Sequence, residues 1–330
     1  TPPDTWQRLR AGFAMHDCVA PAIRRANRET RNRQLFERHM QQLLPMIDYV
    51  QHIADQHGVA GEFALLPWVE SHFRQVPPRR HRPAGMWQIM PITARAMRLK
   101  VNNHYDGRLD PIISTRAVME LVSSYYRVWH DWRLADMAYN TGEYRLRRIL
   151  KKHGMPPAEP VIPDLPVGRI TRQHLTRLMA IASVIRDPQR FHVQLPALDP
   201  ERRLEVVKLP TRASLRQLAD LADLPIKRMR KLNAGYRLAH APAGASLLLP
   251  KHAARTLRDA IAAGRLHDDT RRIAGTGPQA ATYTVASGDS LWSISRRFDI
   301  HIEQLRQWNN LGDSPLQPGQ VLQLEPSPSS

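Results

Sequence analysis

A single carboxylate lies near the end of an apolar stretch at residues 64–73, which have the sequence ALLPWVESHF. The apolar residues around it recur at helical spacing, so the stretch predicts a helix that ends close to Glu70. Glu70 is the sole acid between Glu62 and Asp106. Apolar neighbours disfavour the charged form of a carboxyl group, and a protonated carboxyl group can act as a general acid. From these residues alone, an exposed glutamate at a helix end is the preferred interpretation.

The surrounding sequence predicts more helices and almost no strands before residue 200. Apolar residues repeat at helical spacing through 35–57, and glycines at positions 58 and 61 mark the end of that helix. Further helices are predicted near 92–99, 111–130, 133–150 and 171–186. The first 195 residues therefore indicate a mainly α-helical domain.

The last third of the chain contains an internal repeat of about 45 residues. Residues 204–250 and 282–325 each predict the order strand, helix, helix, strand. Each copy places an asparagine near the end of its second helix, Asn233 in the first and Asn309 in the second. The predicted fold class is therefore multidomain, a mainly α domain followed by small α+β modules of βααβ order.

The chain is strongly basic, with 48 Lys and Arg against 30 Asp and Glu and a formal charge of +18 over 330 residues. Such an excess gives affinity for polyanions, although a solvated basic surface explains it as well. The excess avoids the second copy, because residues 281–325 hold three basic and five acidic residues. Motifs typical of nucleic-acid-binding folds are lacking, so we expect no nucleic-acid partner.

Composition also excludes several classes of protein. The longest mainly apolar run, residues 178–185 with Ser183 inside it, is far shorter than the roughly 18 residues of a membrane span. The one cysteine, Cys18, excludes an internal disulfide framework and a cysteine-rich zinc site. The opening residues TPPDT lack the basic start and apolar run of a signal peptide. We expect no metal site and no cofactor.

The second copy carries a dense set of motifs, GDSLW at 288–292, WNN at 308–310 and LQPGQ at 316–320. With YTV at 283–285, these motifs resemble a LysM module over its full length. The resemblance implies binding of glycans that contain N-acetylglucosamine, in a shallow groove between two loops. The residues it implies are Asp289, Ser290, Leu291, Leu316 and Pro318, each with a purely structural role as the alternative. The first copy has TRASL at 211–215, which predicts a retained fold with a poor sugar groove.

Further motifs follow Glu70 in order, namely GMWQIMPIT at 85–93, Tyr105-Asp106 with Asp110, and AYNTGE at 138–143. Together with residues 64–73 they resemble the lysozyme-like catalytic domain of lytic murein transglycosylases, most closely the membrane-bound D type. The resemblance implies cleavage of the β-1,4 bond between N-acetylmuramic acid and N-acetylglucosamine. Glu70 matches the family's catalytic glutamate, which protonates the glycosidic oxygen and then takes the proton of the muramic acid C6 hydroxyl as that oxygen attacks C1. The product is a 1,6-anhydro end, and the substrate supplies the nucleophile that many glycosidases take from a second acid.

The same resemblance implies a set of substrate-binding residues, Ser71, Met86, Gln88, Tyr105, Tyr139 and Asn140. Core packing is the simpler role for Trp87 and Met90. Asp110 and Glu143 are candidates for a second acid, with structural hydrogen bonding as the favoured alternative.

The chain departs from the family at residues 79–83, RRHRP, where members usually have a small polar stretch that often includes serine. Arginines beside the active carboxylate would favour its charged form and oppose the effect of burial. They could instead pair with lactyl or peptide carboxylates of the substrate. The sequence leaves both roles open.

Five regions are predicted, a helical extension at 1–40, the lysozyme-like domain at 41–198, a degenerate LysM-like module at 200–252, a helix and linker at 253–281 and a LysM module at 282–326. The leading hypothesis is a lytic transglycosylase of the bacterial periplasm or cell envelope, with outer-membrane association as an option. Its expected partner is the glycan strand of peptidoglycan. The alternatives are a muramidase-type hydrolase of the same fold, a non-catalytic peptidoglycan-binding protein and a binder of polyanions.

Overall fold

The computed structural model describes residues 4–15, 19–268, 282–298, 300, 302–312 and 316–324. Cys18 lies outside these residues. The chain divides into two compact units, Thr1–His267 and Asp268–Ser330. The predicted fold class is confirmed, because a mainly helical region is followed by small modules that contain short strands.

The first unit holds the helices α1 Thr5–Ala11, α2 Ala20–Glu29, α3 Arg33–Gln56, α4 Leu66–Ser71, α5 Pro91–Ala96, α6 Pro111–Trp129, α7 Trp132–Thr141, α8 Glu143–His153, α9 Arg169–Arg186, α10 Leu215–Leu221, α11 Ile226–Leu232 and α12 Lys251–Ala262. Its strands are β1 Leu204–Lys208, β2 Ala213–Ser214, β3 His240–Ala241 and β4 Ser246–Pro250. Short 3-10 helices span Gly61–Leu65, Gln189–Phe191 and Pro200–Arg202. The predicted boundary between residues 40 and 41 falls inside α3.

Helix α9 runs through the centre of the helical region. Its apolar residues from Leu175 to Ile185 are buried almost all round the helix, which is the pattern of a helix with neighbours on every side. It packs against α2, α4, α7 and the 3-10 helix Gly61–Leu65. The polar residues that α9 carries on its inner face are therefore held in place by the core.

Two helices occupy the segment 133–150, where the sequence predicts one. Gly142 separates α7 from α8 and has a φ of +90°, a backbone conformation that side chains disfavour and that a helix does not contain. Asp131 caps the start of α7, since its carboxylate accepts a hydrogen bond from the N–H of Arg133. The break leaves Tyr139 and Asn140 in the last turn of α7.

The LysM-like module pairs β1 with β4 antiparallel, from Leu204 opposite Pro250 to Lys208 opposite Ser246. Asn233 fixes the second helix to the last strand, because its side chain donates to the carbonyl of Leu248 at 3.1 Å and accepts from the N–H of Leu248 at 2.8 Å. Leu248 belongs to the core of the helical domain, and β1 packs against α3. The module is thus joined to that domain by a shared apolar interface.

The second unit pairs β5 Thr282–Thr284 with β6 Val321–Gln323 around α13 Leu291–Phe298 and α14 Ile302–Trp308. Its small core contains Val285, Ile294, Leu305, Leu322 and Leu324. Asn309 repeats the role of Asn233, since its amide donates to the carbonyl of Gln323 at 2.7 Å. None of the helices in the described parts of the chain is long and apolar enough to cross a membrane.

Candidate active site

Helix α4 presents Glu70 at the edge of the core. Leu66, Trp68 and Val69 are buried, whereas the side chain of Glu70 keeps 16% of its surface exposed. The helix ends at His72, whose φ of +53° stops helical propagation. Trp68 anchors the helix, because its indole N–H donates to the carboxylate of Glu29 on α2 at 3.0 Å.

A histidine and an aspartate form a chain of contacts behind Glu70. The Nε2 atom of His174 on α9 lies 2.9 Å from Oε1 of Glu70. The Nδ1 atom of the same ring lies 3.0 Å from Oδ1 of Asp136 on α7. His174 is 5% exposed and Asp136 is fully buried. Three helices thus bring two carboxylates to the two nitrogens of one buried imidazole.

The electrostatics of this group favour a charged histidine. Burial alone would lower the pKa of His174, but the charges of Asp136 and Glu70 and their hydrogen bonds outweigh burial and raise it to about 10. The ring is therefore an imidazolium at neutral pH. Arg177, also on α9, donates to the carbonyl of Val69 and so holds the backbone next to Glu70.

The loop at residues 84–89 is a tight turn closed by an antiparallel bridge between Ala84 and Ile89. Gly85 has a φ of +76°, and a Cβ atom there would lie 1.9 Å from the carbonyl oxygen of Arg108. Gln88, a predicted substrate contact, is half-buried with a φ of +49°, and its side-chain amide donates to the carbonyl of Gly85 at 2.7 Å. Only glycine fits at position 85 of this turn.

Tyr139 ties α7 to the same loop. Its hydroxyl donates to the carbonyl of Trp87 at 2.6 Å. Burial and the charge of Glu70 raise the pKa of Tyr139 well above its ordinary value, so the hydroxyl stays protonated. Trp87 is fully buried, which confirms its predicted packing role. Asn140, the next residue, accepts a hydrogen bond from the hydroxyl of Thr171 on α9 at 2.9 Å.

Two predicted substrate contacts have their side chains inside the protein. Met86 is fully buried, so its side chain offers no surface on which a sugar could stack. Ser71 is 3% exposed, and its hydroxyl donates to the carbonyl of Met86 at 2.8 Å. Both residues therefore support the loop rather than face solvent. The prediction that Met90 belongs to the core is wrong, because this side chain is 41% exposed.

Tyr105 lies at the junction with the LysM-like module. Its hydroxyl donates to Asp110 at 2.6 Å, and its ring packs against Tyr236 with centroids 5.4 Å apart. Asp110 also caps α6 by accepting from the N–H groups of Ile112 and Ile113. The favoured structural role of Asp110 is thus the one observed.

Glu143 has a structural partner as well. Its carboxylate pairs with Arg147 one turn along α8 at 2.6 Å.

The arginines at 79, 80 and 82 are exposed, and among the described residues the hydrogen bond to the Glu70 carboxylate comes from His174 and not from them. The cation in contact with Glu70 is thus not one that the departure at 79–83 supplies.

The LysM residues have the following places in the second unit. Asp289 accepts from the hydroxyl of Tyr283 at 2.5 Å and from the N–H of Ala286 at 2.9 Å. Ser290 caps α13, since its hydroxyl accepts from the N–H of Ser293 at 3.1 Å. Leu291 and Leu316 lie against the small core and are partly buried, while Pro318 is exposed.

The corresponding loops of the LysM-like module are bonded to each other. Strands β2 and β3 pair Ala213 with Ala241 and Ser214 with His240, and the N–H of Leu215 donates to the carbonyl of Ala239 at 2.7 Å. Residues 213–215 are therefore occupied by backbone pairing.

His174 and Asp136 are the functional candidates that the sequence motifs missed. His174 is 104 positions from Glu70, and neither residue lies in a quoted motif. A signal was present, because each is a titratable residue in a mostly apolar stretch of sequence, HLTRLMAIASVI from His174 and LADMA around Asp136. A charged group that such a stretch buries needs a partner, which is a reason to look for one.

Three family models match successive regions of this chain. Residues 48–162 match the transglycosylase SLT domain, residues 203–265 match the LysM-like domain of lytic transglycosylase MltD, and residues 283–325 match the LysM domain. The SLT match covers the part of the helical domain that contains Glu70 and α4 to α8, and the other two matches cover the modules.

Several proteins are similar to most or part of this chain. Membrane-bound lytic murein transglycosylase D of Escherichia coli (strain K12) is 32% identical over 84% of this chain, and the chain spans 63% of that protein. A putative tributyltin chloride resistance protein of Alteromonas sp. (strain M-1) is 27% identical over 44% of this chain and 70% of its own length. A probable peptidoglycan endopeptidase LytE of Bacillus subtilis (strain 168) is 48% identical over 48 residues, 14% of each chain. This chain therefore contains regions that match a transglycosylase SLT domain, the LysM-like domain of lytic transglycosylase MltD and a LysM domain, in that order.

Proposed function

We propose that this chain is a peptidoglycan lytic transglycosylase that leaves 1,6-anhydro-muramic acid ends, with Glu70 as acid and then base. The observation that carries the proposal is that the candidate second acids in the described parts of the chain, Asp110, Asp136 and Glu143, are all engaged elsewhere. Asp136 is fully buried behind His174, Asp110 is engaged by Tyr105 and the start of α6, and Glu143 pairs with Arg147. A hydrolase with two acids needs a second carboxylate that reaches the sugar.

The chemistry then needs only one carboxyl group from the protein. Glu70 gives its proton to the glycosidic oxygen as the bond from C1 to that oxygen breaks. The C6 hydroxyl of the muramic acid attacks C1, and its proton passes to the Glu70 carboxylate. Because this nucleophile belongs to the substrate, its attack is intramolecular and has a low entropic barrier. The tie between Tyr139 and Trp87 keeps α7 and the loop at 84–89 in fixed positions beside Glu70.

The two modules suit a polymeric substrate. We propose that the LysM domain at 283–325 holds the enzyme on N-acetylglucosamine-containing glycan strands, through Asp289, Ser290, Leu291, Leu316 and Pro318. Weak binding by one module raises retention when a second site on the same chain holds the same polymer. The substrate places the protein in the periplasm or cell envelope.

Mass spectrometry of products from purified sacculi tests this function. The wild-type chain is expected to release muropeptides with anhydro ends, and Glu70→Gln to release none. Glu120→Gln, an exposed glutamate on α6, is the matched control and should keep full activity. Reducing muramic acid ends would identify a muramidase-type hydrolase instead. Sacculus binding without soluble product from the wild type would identify a non-catalytic wall-binding protein.

A further inference from the structure

The contact chain from Asp136 through His174 to Glu70 has no assigned role. Its members come from α7, α9 and α4, and only Glu70 has an exposed fraction above 5%. Carboxylates accept hydrogen bonds and do not donate them. Nε2 of His174 lies 2.9 Å from Oε1 of Glu70 and Nδ1 lies 3.1 Å from Oδ2 of Asp136, so a ring with a proton on each nitrogen can donate to both carboxylates.

Other groups around the ring are consistent with a lasting positive charge on it. Glu70 faces His174 from α4 and Asp136 faces it from α7, so two anions flank one cation. Tyr139, also on α7, keeps its proton because of burial and the charges of Glu70 and Asp136. Arg177 on α9 adds a further positive charge within range of Glu70. The histidine thus keeps its proton through neutral pH because of its position.

The two oxygens of Glu70 differ as a result. Oε1 accepts the hydrogen bond from Nε2 of His174. Oε2 receives no hydrogen bond from any residue in the described parts of the chain, although the side chain is partly exposed. Oε2 is therefore the oxygen free to meet a sugar.

We propose that His174, backed by Asp136, is the positioning residue of Glu70: it fixes Oε1, turns Oε2 toward the glycosidic oxygen, and stabilises the carboxylate that remains after proton donation. The inference rests on the proposed function. In the first step the proton on Oε2 passes to the glycosidic oxygen, and the electron pair of the broken C1–O bond stays with that oxygen. In the second step the C6 oxygen attacks C1, and its proton returns to Oε2. His174 keeps both of its protons throughout.

The His174→Gln variant tests the inference through the pH profile of kcat on soluble glycan fragments. Glutamine keeps an N–H donor for Oε1 and removes the charge. A cation in contact with the catalytic acid is then missing, so the alkaline limb of the profile should move to higher pH. At neutral pH, kcat should fall at least tenfold, because the carboxylate left by proton donation is no longer stabilised, while KM stays nearly constant. The exposed His153→Gln at the end of α8 is the matched control and should leave the profile unchanged.

NMR of the imidazole nitrogens gives a second readout that does not depend on turnover. In the wild-type chain both nitrogens of His174 should be protonated at pH 8. In Asp136→Asn the ring should lose a proton at a clearly lower pH, since one of its two anionic partners has become neutral. A singly protonated His174 at pH 8 in the wild type would overturn the inference.

The outcomes separate the two proposals. A fall in kcat without any movement of the alkaline limb would mean that His174 has only a structural role. A wild type that produces no anhydro ends would overturn the proposed function, whereas the protonation of His174 would still be measured by NMR. If His174→Gln does not fold, Asp136→Asn and the wild-type spectrum decide the question.

Discussion

The backbone N–H of Asp106 donates a hydrogen bond to the carbonyl of Gly235, 2.9 Å away. Asp106 belongs to the helical domain and Gly235 to the LysM-like module. A second backbone bond runs from the N–H of Arg237 to the carbonyl of His104 at 3.0 Å. Two such bonds next to the motif that contains Tyr105 make the module a fixed neighbour of the catalytic domain. Within the first unit, the module at 203–265 is thus a structural support as well as a repeat of the LysM fold.

Gly235→Ala should weaken this junction. A Cβ atom at position 235 would lie 2.8 Å from Cβ of Asp110 and 3.0 Å from the ring of Tyr105. Forcing an extra methyl group into packed surroundings costs about 1–3 kcal/mol. Urea unfolding should show that loss. Gly168→Ala, at a site with nothing within 4 Å, is the control and should unfold close to the wild-type midpoint. Equal midpoints for the two variants would show that the junction adjusts without cost.

Gly85→Ala should lower both stability and activity by more than the backbone conformation at position 85 alone explains. Gly85 and Gly154 have similar φ values, +76° and +79°. Alanine at either site must adopt a positive φ, which costs about 1–3 kcal/mol. Only position 85 adds a collision, with the carbonyl of Arg108 at 1.9 Å. We expect Gly85→Ala to lose most activity and about 3 kcal/mol or more, and Gly154→Ala to keep activity, as measured by urea unfolding and product release. Similar losses in both variants would contradict the collision.

Stability should depend on pH through His174. The pKa of this ring in the folded chain is about 10, against about 6.5 in an unfolded chain. The stabilisation that the charged ring gives the folded state is therefore complete below about pH 6.5 and is lost as the pH rises through about 10. The difference in urea midpoint between the wild type and His174→Gln should be largest near pH 6 and small at pH 10.5. His153→Gln serves again as control. A difference that stays constant over this range would show that the ring's charge adds nothing to stability.

Glycan retention should depend on the second unit and not on the LysM-like module. In the first unit residues 213–215 are paired with residues 239–241, whereas Ser290 and Pro318 of the second unit are exposed. A chain that ends at Asp268 should lose most retention on sacculi and on chitooligosaccharides. It should still release anhydro ends from soluble fragments. Undiminished retention would place glycan binding in the first unit.

The helices and the candidate acid were predictable because their signals are local. Helical spacing predicted α3, α6 and α9 close to their observed ends, and the motif around Glu70 placed the acid at the end of an apolar helix. The single helix predicted at 133–150 is two helices in the structure, because the positive φ of Gly142 outweighs the helical preference of its neighbours.

The partners of the acid were not predictable, since tertiary packing decides them. Nothing local links His174 to Glu70, because α9 reaches α4 only when the whole core has formed. Met86 and Met90 illustrate the same limit within one motif. They lie in and beside a turn, where no period determines which side chain points inward, and one is buried while the other is exposed.

The shared apolar interface of α3 with β1 has a consequence for biosynthesis. A ribosome completes α3 long before it reaches Leu204, so the nascent helical domain leaves the exit tunnel with one apolar face uncovered. That face is closed only when residues 204–250 have followed. A chaperone that shields apolar surface would have its binding site on the growing polypeptide during this interval, and stalled synthesis within the module would release a product prone to aggregate.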